Sequence, residues 1–203
     1  MSTLTLAPGK PTLADRIFTP SLATDVVLVA AGAALTAVAA QLTVPLWPVP
    51  ITGQTLAVLI VGSTLGAVRG SLSMVLYAVL GVIGLPVFSD ASHGFGVIAG
   101  PTGGYIVGFI FAAAFTGWLA QRSWDHKILG AIASFSVGTV VTFAFGLPWL
   151  SASLGLNLEQ TLAAGLYPFI VGGIVKALLA AGFIRLAWFG INRTGDRRAR
   201  LSE

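Results

Sequence analysis

Long apolar runs separated by short polar segments divide the chain into six predicted helices. These are Thr24–Leu42, Gln54–Val68, Ser71–Leu85, Thr102–Gln121, Ile128–Leu147 and Pro168–Trp188. Most approach the roughly 20 residues that an α-helix needs to cross about 30 Å of hydrocarbon. The second and third are shorter and meet at Arg69-Gly70, which we interpret as a tight hairpin rather than an interruption in one long helix.

The composition of the chain indicates the fold class. The chain of 203 residues is 56% hydrophobic and only 9% charged, with a mean hydropathy of +0.91. A soluble domain carries about 25% charged residues. We therefore predict an all-α integral membrane protein with a single domain over residues 1–203. Its basic pI does not indicate nucleic-acid binding, because most of the cations lie at helix ends or in the segment after residue 192.

The basic residues predict an orientation. Ten of the eleven lie on one side of a six-span bundle: Lys10, Arg16, Arg69, Arg122, Lys127, Arg185, Arg193, Arg197, Arg198 and Arg200. By the positive-inside rule, both termini are cytoplasmic, as are the segment 1–20 and the basic tail 193–203. Cleavage after Ala37-Val38-Ala39 is an alternative, but Asp15 and Asp25 in the leading segment favour a retained first helix.

The eleventh cation, Lys176, lies inside the last apolar stretch, about 12 Å below Pro168 at 1.5 Å per residue. An intramembrane cation is costly and therefore usually faces a cavity or a partner. Residues one helical turn away are Gly172, Gly173 and Ala180, so its own helix supplies no carboxylate. An anionic ligand, a carboxylate from elsewhere or a water-filled pocket remain as explanations.

Three loops on the side opposite the basic residues, about 43–53, 86–101 and 148–167, are rich in proline, glycine and aromatic residues. Irregular backbone near a membrane is tolerated where it lines a cavity, so these loops predict a pocket above Lys176. Gln54 either contacts a ligand or caps a helix. Asp90 contacts a ligand or solvates its loop, and Tyr105 forms a pocket wall or an interface belt.

Small residues at four-residue spacing predict close helix packing. Gly62, Gly66 and Gly70 form one such series, and Gly100, Gly104 and Gly108 form another. In lipid, small residues let helix backbones approach closely. We interpret both glycine series as internal packing.

Catalytic and metal-binding signatures do not occur in the sequence. There is no G-x-S-x-G or H-E-x-x-H motif, and no lysine stands in a Walker A pattern. The two histidines, His93 and His126, are predicted to lie on opposite sides of the membrane. We therefore expect no enzymatic activity, no cofactor and no metal site, and any energy that the activity of the protein requires would have to come from other subunits.

The ordered motifs PVPITGQT at 48–55, GLPVF at 84–88, GPTGGYIVGF at 100–109 and PFIVGGIVK at 168–176 resemble the BioY family. BioY proteins are the biotin-specific substrate-binding (S) components of energy-coupling factor (ECF) transporters. The resemblance implies six transmembrane helices in a bacterial cytoplasmic membrane, and biotin uptake from the outer face. It also implies a transmembrane coupling subunit and two ATPase subunits as partners, besides membrane lipid, and leaves open whether the chain works alone.

Biotin suits the predicted pocket. Its carboxylate would pair with Lys176, its thiophane ring would contact Trp47, Phe88 and Tyr105, and its ureido ring would bind Gln54 or Asp90. The resemblance further implies an A-x-x-x-A face that docks on the coupling subunit. Ala30 with Ala34, and Ala33 with Ala37, match that pattern in the first predicted helix.

One position departs from the family pattern. In the family, PFI is followed by proline, glycine and aspartate before the lysine, whereas this chain has Val171, Gly172 and Gly173. If the aspartate receives the ureido N–H groups, Asp90 or Asn157 are candidate substitutes. The departure keeps two alternatives open: an S component for another anionic, vitamin-like solute, and a membrane assembly protein without a transport role.

Overall fold

The computed structural model describes the backbone of residues 10–201 and the side chains of residues 10–190. Within that part of the chain, nearly all regular structure is helical. The α-helices are α1 (Leu13–Ile17), α2 (Leu22–Ala40), α3 (Gln54–Leu65), α4 (Ala67–Val82), α5 (Phe95–Ala99), α6 (Gly103–Ala120), α7 (Ile128–Leu154), α8 (Leu158–Gly165) and α9 (Tyr167–Leu201). Two short strands, β1 (Thr43–Val44) and β2 (Ile51–Thr52), pair antiparallel.

The longer helices run in alternating directions between two ends of the bundle. At one end, which we call the pocket end, the strand β2 leads into α3 and Trp149 of α7 donates a hydrogen bond to the carbonyl of Gly100, at 3.0 Å. At the other, the basic end, Arg185 of α9 donates to the carbonyl of His126 in the turn between α6 and α7. The side chains of Arg193 to Arg200, assigned above to a basic tail, lie outside the described residues.

The apolar helices differ in whether they are long enough to cross a membrane. Among the described residues, four helices are long and apolar enough to cross a membrane: Leu22–Ala40, Gly103–Ala120, Ile128–Leu154 and Tyr167–Gly190 within α9. The helices α3 and α4 are apolar but shorter, with 12 and 16 residues. The chain is therefore a helical, multi-pass membrane protein.

Two predicted boundaries at the pocket end are wrong. The helix predicted to end at Leu147 continues through Pro148 to Leu154, since neighbouring helices can compensate for the backbone hydrogen bond that proline removes. The segment 148–167, predicted as an irregular loop, is also largely helical, because α8 follows only a few residues later. Asn157 begins that helix by accepting a hydrogen bond from the Gln160 N–H at 2.9 Å.

The turn between α3 and α4 is not at Arg69-Gly70, as predicted, but at Gly66. Gly66 has φ of +87°, a backbone conformation that side-chain-bearing residues rarely adopt, and it ends α3 and begins α4. The shift moves Arg69 from a loop into the first turn of α4. There its side chain is only 1% exposed, so Arg69 is a core residue and not a loop charge that sets topology.

Arg69 is buried because two carboxylates surround it at the basic end. Its Nε donates to Asp25 of α2 at 2.7 Å, and its Nη1 donates to Asp15 of α1 at 2.6 Å. Burial raises the pKa of the Asp15 carboxyl, but hydrogen bonds from Thr12 and Arg69 outweigh that effect and hold the pKa below its ordinary value. This ion cluster fastens α1 and α2 to α4.

Internal packing explains two of the small-residue patterns. A Cβ on Gly62 would lie 2.2 Å from Thr116 Oγ1, and one on Gly104 would lie 2.2 Å from Trp149 Cβ, so both glycines permit close helix contacts as predicted. In α2, Ala33 is 1% exposed and faces the core. Of the four alanines predicted to dock on a partner, Ala30 and Ala34 are exposed, and Ala37 is intermediate.

Candidate functional site

A cavity lies at the pocket end, beneath the short β-hairpin. The empty space between its walls amounts to about 550 Å³, a volume that includes the mouth open to solvent. Its lining comes from segments far apart in sequence: Val49, Pro50, Thr52, Gln54, Thr55, Phe88, Ser89, Val97, Thr102, Tyr105, Ile106, Phe109, Thr142, Phe143, Phe169 and Lys176.

Lys176 lines this cavity, as the sequence predicted. Its Nζ donates hydrogen bonds to the carbonyl of Thr52 and, at 3.1 Å, to the hydroxyl of Thr55. Both acceptors are neutral, and no carboxylate among the described side chains is paired with Lys176. An ammonium group has three donors, so one remains for a ligand. The positive charge is therefore uncompensated at the wall of an otherwise apolar cavity.

Gln54 also lines the cavity and is held by a buried hydrogen-bond chain. Its Oε1 accepts from Thr52 Oγ1 at 2.7 Å, and its Nε2 donates to the hydroxyl of Tyr77. Tyr77 lies on α4, is fully buried and does not line the cavity. Thr52 and Tyr77 thus fix the orientation of the Gln54 side chain, and the second N–H of its amide is left for another acceptor.

Aromatic rings make the largest apolar wall. Tyr105 packs edge-on against Phe143, with ring centroids 5.9 Å apart, and stacks on Phe169 at 6.5 Å. The Tyr105 hydroxyl donates to the carbonyl of Gly165 at 3.0 Å, which fixes the ring against α8. These rings can cover a flat apolar ring system of a ligand.

Phe88 is a further aromatic lining residue and is almost completely buried. Its ring meets Tyr77 edge-on, with centroids 5.4 Å apart. Gly81 makes room for it, because a Cβ at Gly81 would lie 2.0 Å from Phe88 Cζ. The helix α4 therefore positions both Gln54 and Phe88 without contributing a lining residue of its own.

Three predicted site residues do not line the cavity. Trp47 is 85% exposed in the loop between β1 and β2. Asp90 is exposed in a 3₁₀ turn at 89–91, with φ of 55°. Asn157 is exposed, and its side chain caps α8. The structure brings together Lys176, Gln54, Tyr105 and Phe88, and places the other three outside.

Gly173, where the sequence departs from the family pattern, lies near Lys176. Gly172 and Gly173 line a small recess together with Lys176, Thr55 and Thr139. A Cβ on Gly173 would meet only Thr139 Cγ2, at 3.8 Å. The residue at 173 therefore faces the same space as the ammonium group, and glycine leaves that space open.

Several lining residues were not singled out from the sequence. Thr52 and Thr55 lie within the motif at 48–55. The sequence feature that could have identified them as lining residues is their proximity to Gln54 at the start of a helix. Phe143 and Phe169 lie in apolar helices where aromatic residues are common, so no local signal distinguished them from core residues. Their role is revealed by the contacts of both rings with Tyr105 of α6.

The electrostatics of the cavity favour an anion. Lys176 is the single charged residue among the lining residues. The helices α3 and α6 both begin at the cavity, near Gln54 and Thr102, and helix N-termini carry partial positive charge. The fold and the cavity together define a membrane-embedded binding protein suited to a small, largely apolar molecule with an anionic group.

Comparison with known proteins gives the family. The sequence model of the BioY family matches residues 10–193, and this chain belongs to that family. The chain is 39% identical over 141 residues to the biotin transporter BioY of Rhizobium etli, covering 66% of this chain and 75% of that protein. It is 39% identical over 158 residues to the probable biotin transporter BioY of Pyrococcus horikoshii, covering 78% and 92%.

A solved structure is similar as well. The fold matches the crystal structure of the S-component for biotin from an ECF-type ABC transporter, with a TM-score of 0.74 and 26% sequence identity. The match covers 80% of this chain and 89% of that one. The arrangement of helices described here is therefore that of an S component.

Proposed function

We propose that this protein takes up biotin as the membrane-embedded substrate-binding subunit of an ECF-type transporter. The observation that carries the proposal is Lys176, an uncompensated cation on the wall of an apolar, aromatic cavity in a chain of the BioY family. The biotin carboxylate pairs with Lys176, the bicyclic ring lies between Phe88 and Tyr105, and Gln54 contacts the ureido group. Trp47, Asp90 and Asn157 reach the ligand only if the pocket end rearranges.

The topology belongs to the same proposal. Six helices cross the cytoplasmic membrane of a bacterium, α3 and α4 as short spans, and both termini are cytoplasmic. The exposed charges at the basic end, among them Arg16, Arg122 and Lys127, support this orientation by the positive-inside rule. The cavity then opens to the outer face, where biotin is captured.

Equilibrium binding of radiolabelled biotin to the detergent-purified protein tests the function, with biotinamide as competitor. We expect saturable biotin binding and poor competition by biotinamide, because its carboxylate is blocked. A folded sample that does not bind biotin would overturn the proposal. In that case other anionic vitamin-like solutes are the next candidates, since the open recess at Gly173 lacks the family aspartate.

Partner docking is proposed at the outer face of α2. Ala30 and Ala34 are exposed there, whereas Ala33 is buried. A coupling subunit, with two ATPase subunits, would supply the energy for transport. We expect Ala34→Phe to abolish co-purification with the coupling subunit while biotin binding persists. Ala33→Phe is the contrasting variant and should instead disrupt the fold; unchanged co-purification in Ala34→Phe would exclude this face.

A further inference from the structure

An apolar groove runs along the outer surface where the start of α4 meets the last turns of α6. Ala67, Ala114, Phe115 and Trp118 line it. Phe115 and Trp118 are 48% and 42% exposed, and their rings lie 6.0 Å apart. The groove is separate from the ligand cavity, since it lies at the basic end and shares no lining residue with that cavity.

The floor of the groove is held firmly in place. Gly117 of α6 lies so close to the α3–α4 turn that a Cβ there would stand 2.3 Å from the Gly66 carbonyl carbon. The Ala67 N–H also donates to Gln121 Oε1, at 3.4 Å. These backbone contacts keep the two walls at a fixed separation, so the groove is a property of the helix packing and not of loose side chains.

A cation marks the end of the groove that faces the membrane surface. The Arg122 guanidinium carbon lies 3.6 Å from the centroid of the Trp118 ring, at a distance typical of a cation–π contact. Arg122 is exposed, and no carboxylate among the described side chains pairs with it. Arg69, although close in the fold, already binds Asp15 and Asp25 and is not available.

We propose that this groove binds an acidic phospholipid, with an acyl chain against Ala67, Ala114 and Phe115 and the headgroup phosphate on Arg122. The charge complementarity commits the site to a lipid. At this depth, a phospholipid combines an apolar chain in the hydrocarbon with an anion at the interface. Tryptophan is the residue that prefers that boundary, and arginine is attracted to anionic lipid surfaces.

Native mass spectrometry of the full-length protein tests the site. The probes are phosphatidylglycerol and phosphatidylcholine with identical acyl chains. We expect the parent to retain phosphatidylglycerol preferentially, because the choline cation of phosphatidylcholine offsets its phosphate charge. Arg122→Gln should weaken that retention about fivefold, the effect of one cation at an anionic membrane surface. Trp118→Leu should also weaken it, because the ring no longer holds the guanidinium in place.

Matched controls separate this site from a diffuse basic surface. Lys127 and Trp124 are also exposed at the basic end but do not line the groove. Lys127→Gln and Trp124→Leu should retain phosphatidylglycerol as the parent does. Equal losses in these controls, or an unchanged lipid preference in Arg122→Gln, would overturn the proposal. Displacement of the lipid by excess glycerol phosphate would also overturn it, because the anion alone would then suffice.

Discussion

Two helical cations of this protein, Arg69 and Lys176, have opposite surroundings. Arg69 at the basic end is 1% exposed and contacts carboxylates of Asp15 and Asp25 at 2.6 and 2.7 Å. Lys176 at the pocket end is half-buried, and its hydrogen-bond acceptors among the described residues are a carbonyl and a hydroxyl. The first charge is compensated by the chain itself, whereas the second is not.

The difference shows what each cation can do. A buried ion pair is strongly destabilising to break, because the remaining partner is left as an unpaired buried charge. Arg69 is therefore a structural residue that joins three helices. The charge on Lys176 has no counterion among the described side chains and can gain most of its stabilisation from a ligand. Pairing, more than burial, distinguishes a structural cation from a binding cation here.

Removal of the paired cation should have the largest effect. Arg69→Met removes the cation that pairs with the fully buried Asp25, and we expect it to destabilise the fold by about 3–5 kcal/mol. Thermal unfolding in detergent measures the loss. The control is Arg16→Gln, an exposed cation at the same end, which should change stability by less than about 0.5 kcal/mol. Equal effects of the two variants would contradict a structural role for Arg69.

Removal of the unpaired cation should give the reverse result. Lys176→Met keeps the length of the side chain and should preserve or improve stability, since an uncompensated charge leaves the membrane interior. A hydrogen bond to a charged group contributes about 1.5–3 kcal/mol. Biotin affinity should therefore fall about 10- to 150-fold, measured by equilibrium binding. Biotinamide affinity should hardly change, and unaltered biotin affinity would refute the assignment of Lys176.

The fold could be predicted from the sequence to the extent that hydrophobicity determines it. The starts of α3 and α7, at Gln54 and Ile128, were predicted to the residue. The turn at Gly66 was not, because Arg69-Gly70 has the composition of a loop and the two partners of Arg69 lie 44 and 54 residues away in sequence. Local patterns do not show that a charge will be neutralised by distant helices.

The site was predictable where a residue contradicted its surroundings. Lys176 stands out because a lone cation is unusual in an apolar helix, and Gln54, Phe88 and Tyr105 lie in the motifs of the family. Trp47 was predicted for the cavity from the same loop composition, but it points outward. Tyr77 was missed, since a tyrosine in an apolar helix looks like any core residue until its hydroxyl is seen to meet Gln54.

Tyr77 allows a smaller test, which concerns the contact of the neutral Gln54 side chain with the ligand and not the charge of Lys176. We infer that it is a positioning residue for Gln54, so Tyr77→Phe should weaken biotin binding up to about tenfold, the range of one lost hydrogen bond. An analogue that keeps the thiophane and valerate groups but lacks the ureido ring should bind Tyr77→Phe and parent alike. Equal losses for both ligands would indicate a general packing defect. Tyr167→Phe, an exposed tyrosine at the same end, is the control.

The smallest expected effect concerns the outer partner of Arg69. Asp15 keeps 12% of its side chain exposed, and Asp25 still pairs with Arg69 in its absence, so Asp15→Asn should destabilise the fold by only about 1 kcal/mol at pH 7. Because folding lowers the pKa of Asp15, its contribution is present above the ordinary value of 3.8 and is lost as the pH falls below that value. Thermal unfolding of parent and variant should therefore differ at pH 7, and the difference should shrink as the pH falls below 3.8 and through the lowered folded-state pKa of Asp15. Exposed Glu159→Gln should differ little from the parent at either pH. A difference that persists unchanged at low pH would mean that Asp15 stabilises α1 through its neutral contacts with Thr12, and that Asp25 alone compensates the charge of Arg69.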